Sequence, residues 1–338
     1  MLDLFFATFL ALLLLLGLRR PFIWVLTYLY VDIVAPQMIS WGWLSTVPIS
    51  LLVFVAAFGG WLVLDGKQGT RFSYRQVLLV ALLGYCAWTT ANADFPVETR
   101  IKWDWVWKAL VFAIFLPFTL RTRLRIEATA LMMVLAAATI IINGGIKTVF
   151  GGGGYGTLRL LVDNNTGLYE GSIISCVAIA IIPLILWLTR HGTIFRPDWR
   201  VNLFAAGLIF ACCLMPIGTQ ARTGLVCLAF LCVLFLRTTK RRFLYLGLMG
   251  AAGVLAVPFL PQSFTERMST IQDHQADQSA STRVAVWKWT LDYVKANPYG
   301  GGFEAYRANK LEYDAYVPKT SGSTTVIEKE RISEEGRA

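Results

Sequence analysis

The chain is divided into apolar runs long enough to cross a lipid bilayer, and no other feature restricts its fold as much. A helix rises 1.5 Å per residue, so a hydrocarbon core of about 30 Å needs about 20 apolar residues. Ten runs approach that length, with approximate limits 2–18, 22–38, 44–64, 76–93, 104–120, 127–145, 172–189, 201–217, 224–237 and 243–260. Backbone groups inside hydrocarbon have no water to bond, so each run is expected to be a helix and not a strand. Hydrophobic residues make up 56% of the 338 and charged residues 15%. A soluble domain carries about 25% charged residues. The same numbers exclude disorder, a collagen-like chain and a disulfide scaffold. The expected fold class is all-α: a polytopic membrane bundle of about ten transmembrane helices with an outer-face, partly helical C-terminal segment.

The formal net charge of +10, from 31 Lys and Arg against 21 Asp and Glu, would suggest nucleic acid in a soluble protein. Here the basic residues cluster between apolar runs, which is the pattern of membrane topology signals. Alternate loops hold Arg19 and Arg20; Lys67, Arg71 and Arg75; Arg121, Arg123 and Arg125; Arg190, Arg196 and Arg200; and Arg237, Lys240, Arg241 and Arg242. The opposite loops hold only Arg100, Lys102, Lys147, Arg159 and Arg222. Basic residues stay on the cytoplasmic side, so the N-terminus and everything beyond residue 260 are expected on the outer face. The bilayer is thus an expected partner and nucleic acid is not. Met1 to Leu18 has no basic leader and no small-residue cleavage site, and Arg19 and Arg20 follow it, so it is expected to be a retained span. Cys86, Cys176, Cys212, Cys213, Cys227 and Cys232 all lie in apolar runs without metal-ligand or CxxC spacing, and are expected to pack as small hydrophobes.

Three regions follow: membrane helices over 1–145, a central membrane core with one long outer loop over 146–260, and an outer segment over 261–338. In the last, Val284, Trp287, Leu291 and Val294 recur at helical spacing and predict an amphipathic helix lying against the membrane surface or the bundle. Ser281 or Thr282 is its expected cap, and Asn297-Pro298 its expected end.

Few residues carry chemistry. Arg222 sits in Gly218-Thr219-Gln220-Ala221-Arg222-Thr223-Gly224, between two apolar runs. It reads either as an interfacial arginine reaching for water or as an anion clamp whose planar fork matches phosphate oxygens. Arg283, at the start of the amphipathic helix, reads as a surface charge or as a second phosphate contact. Asn297-Pro298-Tyr299-Gly300-Gly301-Gly302-Phe303 follows, where Gly300 and Gly302 permit positive φ and close approach of backbone to a ligand. Glu304 and Arg307 lie just beyond. The Gly151–Gly154 run lacks the Gly-Lys-Ser/Thr ending of a phosphate-binding loop. His191 and His274, the two histidines, have no metal-ligand company.

The Gln-Ala-Arg-Thr-Gly turn, the stretch from Arg267 through Arg283 to Trp287, and the Asn-Pro-Tyr-Gly-Gly-Gly-Phe loop resemble, in that order, the signature blocks of the O-antigen ligase and polymerase superfamily. The first two hundred residues resemble its exosortase-A-associated O-glycosylation ligases. The resemblance implies transfer of a glycan from an undecaprenyl-diphosphate carrier to a hydroxyl of a glycan, lipid or protein acceptor, at the outer face of the bacterial inner membrane. It implies that Arg222 and Arg283 hold the diphosphate, with Gly300, Gly302 and Arg307 in the binding site, and that no metal or other cofactor is needed. A repeat-unit polymerase and a transporter or flippase of lipid-linked sugars are the alternatives, the last disfavoured by the lack of paired repeats. The family carries a histidine motif and further membrane helices beyond the outer loop. This sequence stops at Ala338 with neither, so a C-terminally truncated chain is expected, with Asp277 or Glu304 as conceivable substitutes for the missing base.

Overall fold

The computed structural model describes residues 2–67, 72–150, 160, 167–196, 198–239, 241–244, 247, 250–251, 278–321 and 324–336. The chain divides into two compact units, Met1–Thr70 with Leu116–Glu266 and Arg71–Phe115 with Arg267–Ala338.

The first unit is a helix bundle. Its elements are α1 (Leu2–Arg19), α2 (Phe22–Val34), the one-turn α3 (Pro36–Ile39), α4 (Ile49–Val63), the end of α6 (Pro96–Thr119), α7 (Arg123–Phe150), α8 (Gly171–His191), α9 (Trp199–Gly218) and α10 (Arg222–Thr238). Five helical stretches among the described residues are long and apolar enough to span a membrane: Leu2–Arg19, Phe22–Ile39, Arg123–Phe150, Gly171–His191 and Trp199–Gly218. The protein is therefore an all-α polytopic membrane protein. The 28 residues of α7 rise about 42 Å, more than a hydrocarbon core requires.

Local chemistry sets the boundaries. Ala35 takes a left-handed φ of 47° ahead of Pro36, so the second run is interrupted there. Pro48 and a short 3₁₀ turn over Trp43–Thr46 delay α4 to Ile49, where the apolar pattern alone places it near 44. Asp198 starts α9 by accepting a bond from the Arg200 amide at 3.1 Å. Helices cover nine of the ten expected runs. The tenth, 243–260, lies mostly outside the described residues, as do the Gly151–Gly154 run, His274 and Asp277.

The core of this unit is formed by Val25, Val31, Val34, Phe54, Ile140, Ile141, Ile174, Ile179 and Met215, all nearly free of solvent. α7 contributes the buried small residues Ala136, Ala137 and Ala138. Small side chains let helices approach closely where lipid supplies no hydrophobic drive to associate.

The second unit holds α5 (Tyr74–Ala91), most of α6, α11 (Gln278–Ala296) and an antiparallel hairpin of β1 (Lys310–Ser321) and β2 (Thr324–Glu335). The hairpin register runs from Lys310 opposite Glu335 to Ser321 opposite Thr324. Leu311 is buried against Ala285, Val286 and Trp289 of α11 and Ile332 of β2. α11 ends at Ala296, just before Asn297-Pro298, as the sequence predicts, but begins at Gln278, so Ser281 and Thr282 lie inside it and do not cap it. Its apolar stripe, Val284, Trp287, Leu291 and Val294, is more than half exposed. The face that packs is the opposite one. The hairpin departs from the partly helical segment that the sequence predicts.

Candidate functional site

Arg222 is the first residue of α10, and the turn before it is fixed from three sides. Pro216, near the end of α9, cannot continue the helical bonding there. The chain reverses with Thr219 donating its amide to Met215 O at 3.0 Å and Ala221 to Pro216 O at 3.1 Å. Gln220 adopts a φ of 53°, a left-handed conformation that costs a residue with a side chain of order 1 kcal/mol or more. The Ser175 hydroxyl of α8 shares a hydrogen bond with the Thr219 hydroxyl at 2.6 Å. Thr219, Gln220 and Ala221 are all buried.

Two residues after the arginine, a Cβ on Gly224 would lie 2.7 Å from the Ser175 Cβ and 2.9 Å from Pro216 Cγ. Only glycine lets α8, α9 and α10 converge this closely. The pattern Gln-Ala-Arg-Thr-Gly is thus a structural unit: a strained turn, a helix-opening arginine and a contact glycine. Arg222 is half-buried, and Ala221 provides no side-chain cap to the first amides of α10. A helix N-terminus, with the helix dipole behind it, favours an anion.

The two ends of the first unit differ in charge. At the end holding the Arg222 turn, the start of α8 meets the end of α9 through Ser175 and Thr219. At the other end, Asp65 after α4 accepts from Arg121 at 2.6 Å and from Arg125 at 2.8 Å and 3.0 Å. Burial works to raise the Asp65 carboxyl, but the two guanidinium groups outweigh it and hold it below its ordinary range. Glu127, fully buried, accepts from Arg123 at 2.7 Å and from the Thr193 amide and hydroxyl at 2.7 Å and 2.8 Å. Arg123 also donates to His191 O at 2.7 Å. Arg19, Arg20 and Arg125 line one groove at this end. Among the described residues of this unit, Arg19, Arg20, Arg121, Arg123 and Arg125 therefore gather at the end opposite Arg222.

Arg283 belongs to the second unit, where it lies exposed on α11. The loop after that helix is held by polar contacts to the residues just before α6. Gly301 O accepts from the Asp94 amide at 3.0 Å, and the Tyr293 hydroxyl bonds to the Asp94 carboxylate. Burial, and then that carboxylate, push Tyr293 up to about 12. Gly300 and Gly302 take φ of 77° and 87°, as their sequence context predicts. A Cβ on Gly302 would lie 2.6 Å from the Ala93 Cβ. The close approach that these glycines permit is therefore, at Gly302, to this chain's own Ala93.

Arg307, expected to contact substrate, donates its Nε to Glu304 at 2.8 Å. Glu304 is 2% exposed and also accepts from the Tyr306 hydroxyl at 2.7 Å, with Lys102 Nζ at 3.8 Å. Burial tends to raise its carboxyl, yet the Tyr306 and Arg307 bonds and the nearby Lys102 charge hold it below the usual carboxylate range. So placed, Glu304 is an anchor for its loop and a weak base. The Glu304–Lys102 pairing has no sequence signature, because its members lie on elements far apart in the chain. Among the described residues no group of three or more His, Cys, Asp or Glu side chains is arranged to hold a metal ion.

The buried small-residue contacts, the membrane-length helices and the motif-bearing turn define a polytopic membrane protein with a signature block around Arg222. Residues 206–325 match the model of the O-antigen ligase family, so the block around Arg222, and Arg283 with it, falls inside that match. Residues 1–193, more than half of the chain, match a second model, and the protein belongs to that family, DUF5935, a family of unknown function. No curated protein and no solved structure matches the chain.

Proposed function

We propose that this protein transfers a glycan from an undecaprenyl-diphosphate carrier to an acceptor hydroxyl at the outer face of the bacterial inner membrane. The observation that carries the reading is the O-antigen ligase match over 206–325, which includes both arginines and the turn that fixes Arg222 at the start of α10. In the reaction the acceptor oxygen attacks the anomeric carbon while the bond from that carbon to the phosphate oxygen breaks. The electron pair leaves with the diphosphate, and the hydroxyl proton passes to a base. Charge therefore grows on the phosphates, and preorganised donors in a site poor in water stabilise it more than they stabilise the substrate. In this reading Arg222 supplies the guanidinium, from a turn that fixes its place in the chain, and the N-terminus of α10 adds its dipole. Arg283 is the second phosphate contact of the proposal.

The sidedness is supported by the charge asymmetry of the first unit. Arg19, Arg20, Arg121, Arg123 and Arg125 belong to one end of the bundle and Arg222 to the other. With the basic end in the cytoplasm, Arg222 faces outward.

Arg222→Lys tests the reading. Lysine keeps the charge but loses the bidentate fork, so release of undecaprenyl diphosphate in the presence of acceptor should fall at least tenfold, with normal protein levels in the membrane. Wild-type transfer by that variant would remove Arg222 from the mechanism. Export of intact donor without cleavage of the sugar–phosphate bond would replace the transferase with a transporter.

A further inference from the structure

The basic end of the first unit contains a groove of about 840 Å³ whose two halves differ in chemistry. Arg19, Arg20, Thr122 and Arg125 surround one half. Ala128, Leu131, Met132 and Leu135 of α7 line the other, facing Ile23 and Leu26 of α2. The four α7 positions follow the i, i+3, i+4, i+7 spacing of one helix face. From Arg125 to Leu135 that face extends about 15 Å along the axis. The groove is thus a cationic mouth leading into an apolar channel between two membrane helices.

The cations are not equivalent. Arg125 is already compensated by Asp65, at 2.8 Å and 3.0 Å, and its guanidinium lies over the Phe22 ring at 4.9 Å. Arg19 and Arg20 are exposed and have no ion pair among the described residues. Among the described residues no carboxylate lines the groove. An occupant should therefore carry net negative charge at one end, and a zwitterionic headgroup would find no anion for its ammonium. It should also carry a tail, because a free phosphate has no use for the apolar half.

We propose that this groove binds an anionic phospholipid of the surrounding bilayer, with its phosphate between Arg19 and Arg20 and an acyl chain along the Ala128–Leu135 face of α7. Basic pockets between membrane helices take such headgroups elsewhere. A bound lipid would join α1, α2 and α7 by contacts that depend on headgroup charge and would stabilise the bundle by mass action. The site is at the opposite end of the unit from Arg222, so the inference does not depend on the glycan-transfer reading.

The test uses the full chain in neutral detergent, stripped of lipid. Phosphatidylglycerol should raise Tm by several degrees in a dose-dependent way. Phosphatidylcholine with the same acyl chains, and glycerol 3-phosphate, should not. The double variant Arg19→Gln/Arg20→Gln should bind phosphatidylglycerol at least fivefold more weakly at unchanged lipid-free Tm, while Arg19→Lys/Arg20→Lys should retain most of the binding. If the glutamine variant does not fold, native mass spectrometry of Ala128→Trp, which fills the tail half and keeps all three arginines, should show loss of retained phosphatidylglycerol. An equal effect of phosphatidylcholine, a full effect of glycerol 3-phosphate, undiminished binding by the glutamine variant or retained lipid in Ala128→Trp would each overturn the proposal.

Discussion

The turn that carries Arg222 and the loop that carries Glu304 both hold unusual backbone in place, but by different forces. At the turn, Gln220 is strained and Gly224 leaves room for Ser175 and Pro216, and the polar contact is the Ser175–Thr219 hydroxyl pair. At the loop, Gly300 and Gly302 take left-handed φ, and a buried carboxylate gathers Tyr306, Arg307 and Lys102. Packing within a membrane bundle is insensitive to pH and salt. A charged anchor outside the spanning helices responds to both. The molecule thus sets one of its sequence motifs by shape and another by electrostatics.

The strongest test of the shape half is Gly224→Val. The added atoms must displace the Ser175 and Pro216 side chains, or α10 must move. Overpacking of this kind costs about 3 kcal/mol at the upper end of its usual range. The folded fraction recovered in detergent should fall sharply. Gly224→Val with wild-type recovery and wild-type melting would show that the convergence of α8, α9 and α10 tolerates an ordinary side chain, and the contrast with the loop would disappear.

The electrostatic half is tested by Glu304→Gln, with a smaller expected effect. Glutamine keeps a similar shape but leaves Arg307 and Lys102 without their anion. Those partners are 46% and 58% exposed, so water recovers part of the loss, and about 1–2 kcal/mol is expected. The pH dependence has a definite sign. The folded carboxyl is more acidic than its ordinary value of 4.5, so its ionised form favours the fold. Its contribution is complete above that value and is lost as pH falls through the folded one. The protection factor of the Leu311 amide, which divides out the intrinsic pH dependence of exchange, should fall in the wild type over that acid window. In Glu304→Gln it should start lower and show no such fall. Parallel acid profiles for the two proteins would place the control of this loop elsewhere.

What the sequence discloses follows the range of the interaction. Helices are legible because each apolar run is long, and the Arg222 turn is legible because its residues are adjacent. Boundaries are less so. Apolar pattern places α6 from 104 and α7 from 127, yet they begin at Pro96 and Arg123. Charged residues such as Glu98 and Lys102 extend a helix outside lipid as readily as Leu does within it. The hairpin leaves a weaker trace: Leu311, Tyr313, Ala315 and Val317 alternate with polar residues in the sequence, but such a short period-two pattern in a polar tail carries little signal beside the helical stripe that precedes it. The Asp65–Arg125 and Glu304–Lys102 pairs were illegible because their partners lie far apart in the chain and neither has a spacing to detect.

The smallest effect separates a buried anchor from a surface pair within the same unit. Arg331 bonds to Glu312 at 2.6 Å across the hairpin, shorter than either Glu304 bond. Distance alone would rank it as the stronger contact. Both side chains are mostly exposed, however, at 73% and 59%. Each keeps its hydration when the pair opens, and holding two long side chains together costs rotamer freedom. Glu312→Gln should therefore change the melting of the full chain by no more than about 0.5 kcal/mol, within the range of exposed pairs. Raising the salt concentration should reproduce whatever change it makes. A loss from Glu312→Gln as large as that from Glu304→Gln would mean that bond length, and not burial, governs ion pairs in this unit, and the Glu304 carboxylate would lose its special standing as the anchor of the loop.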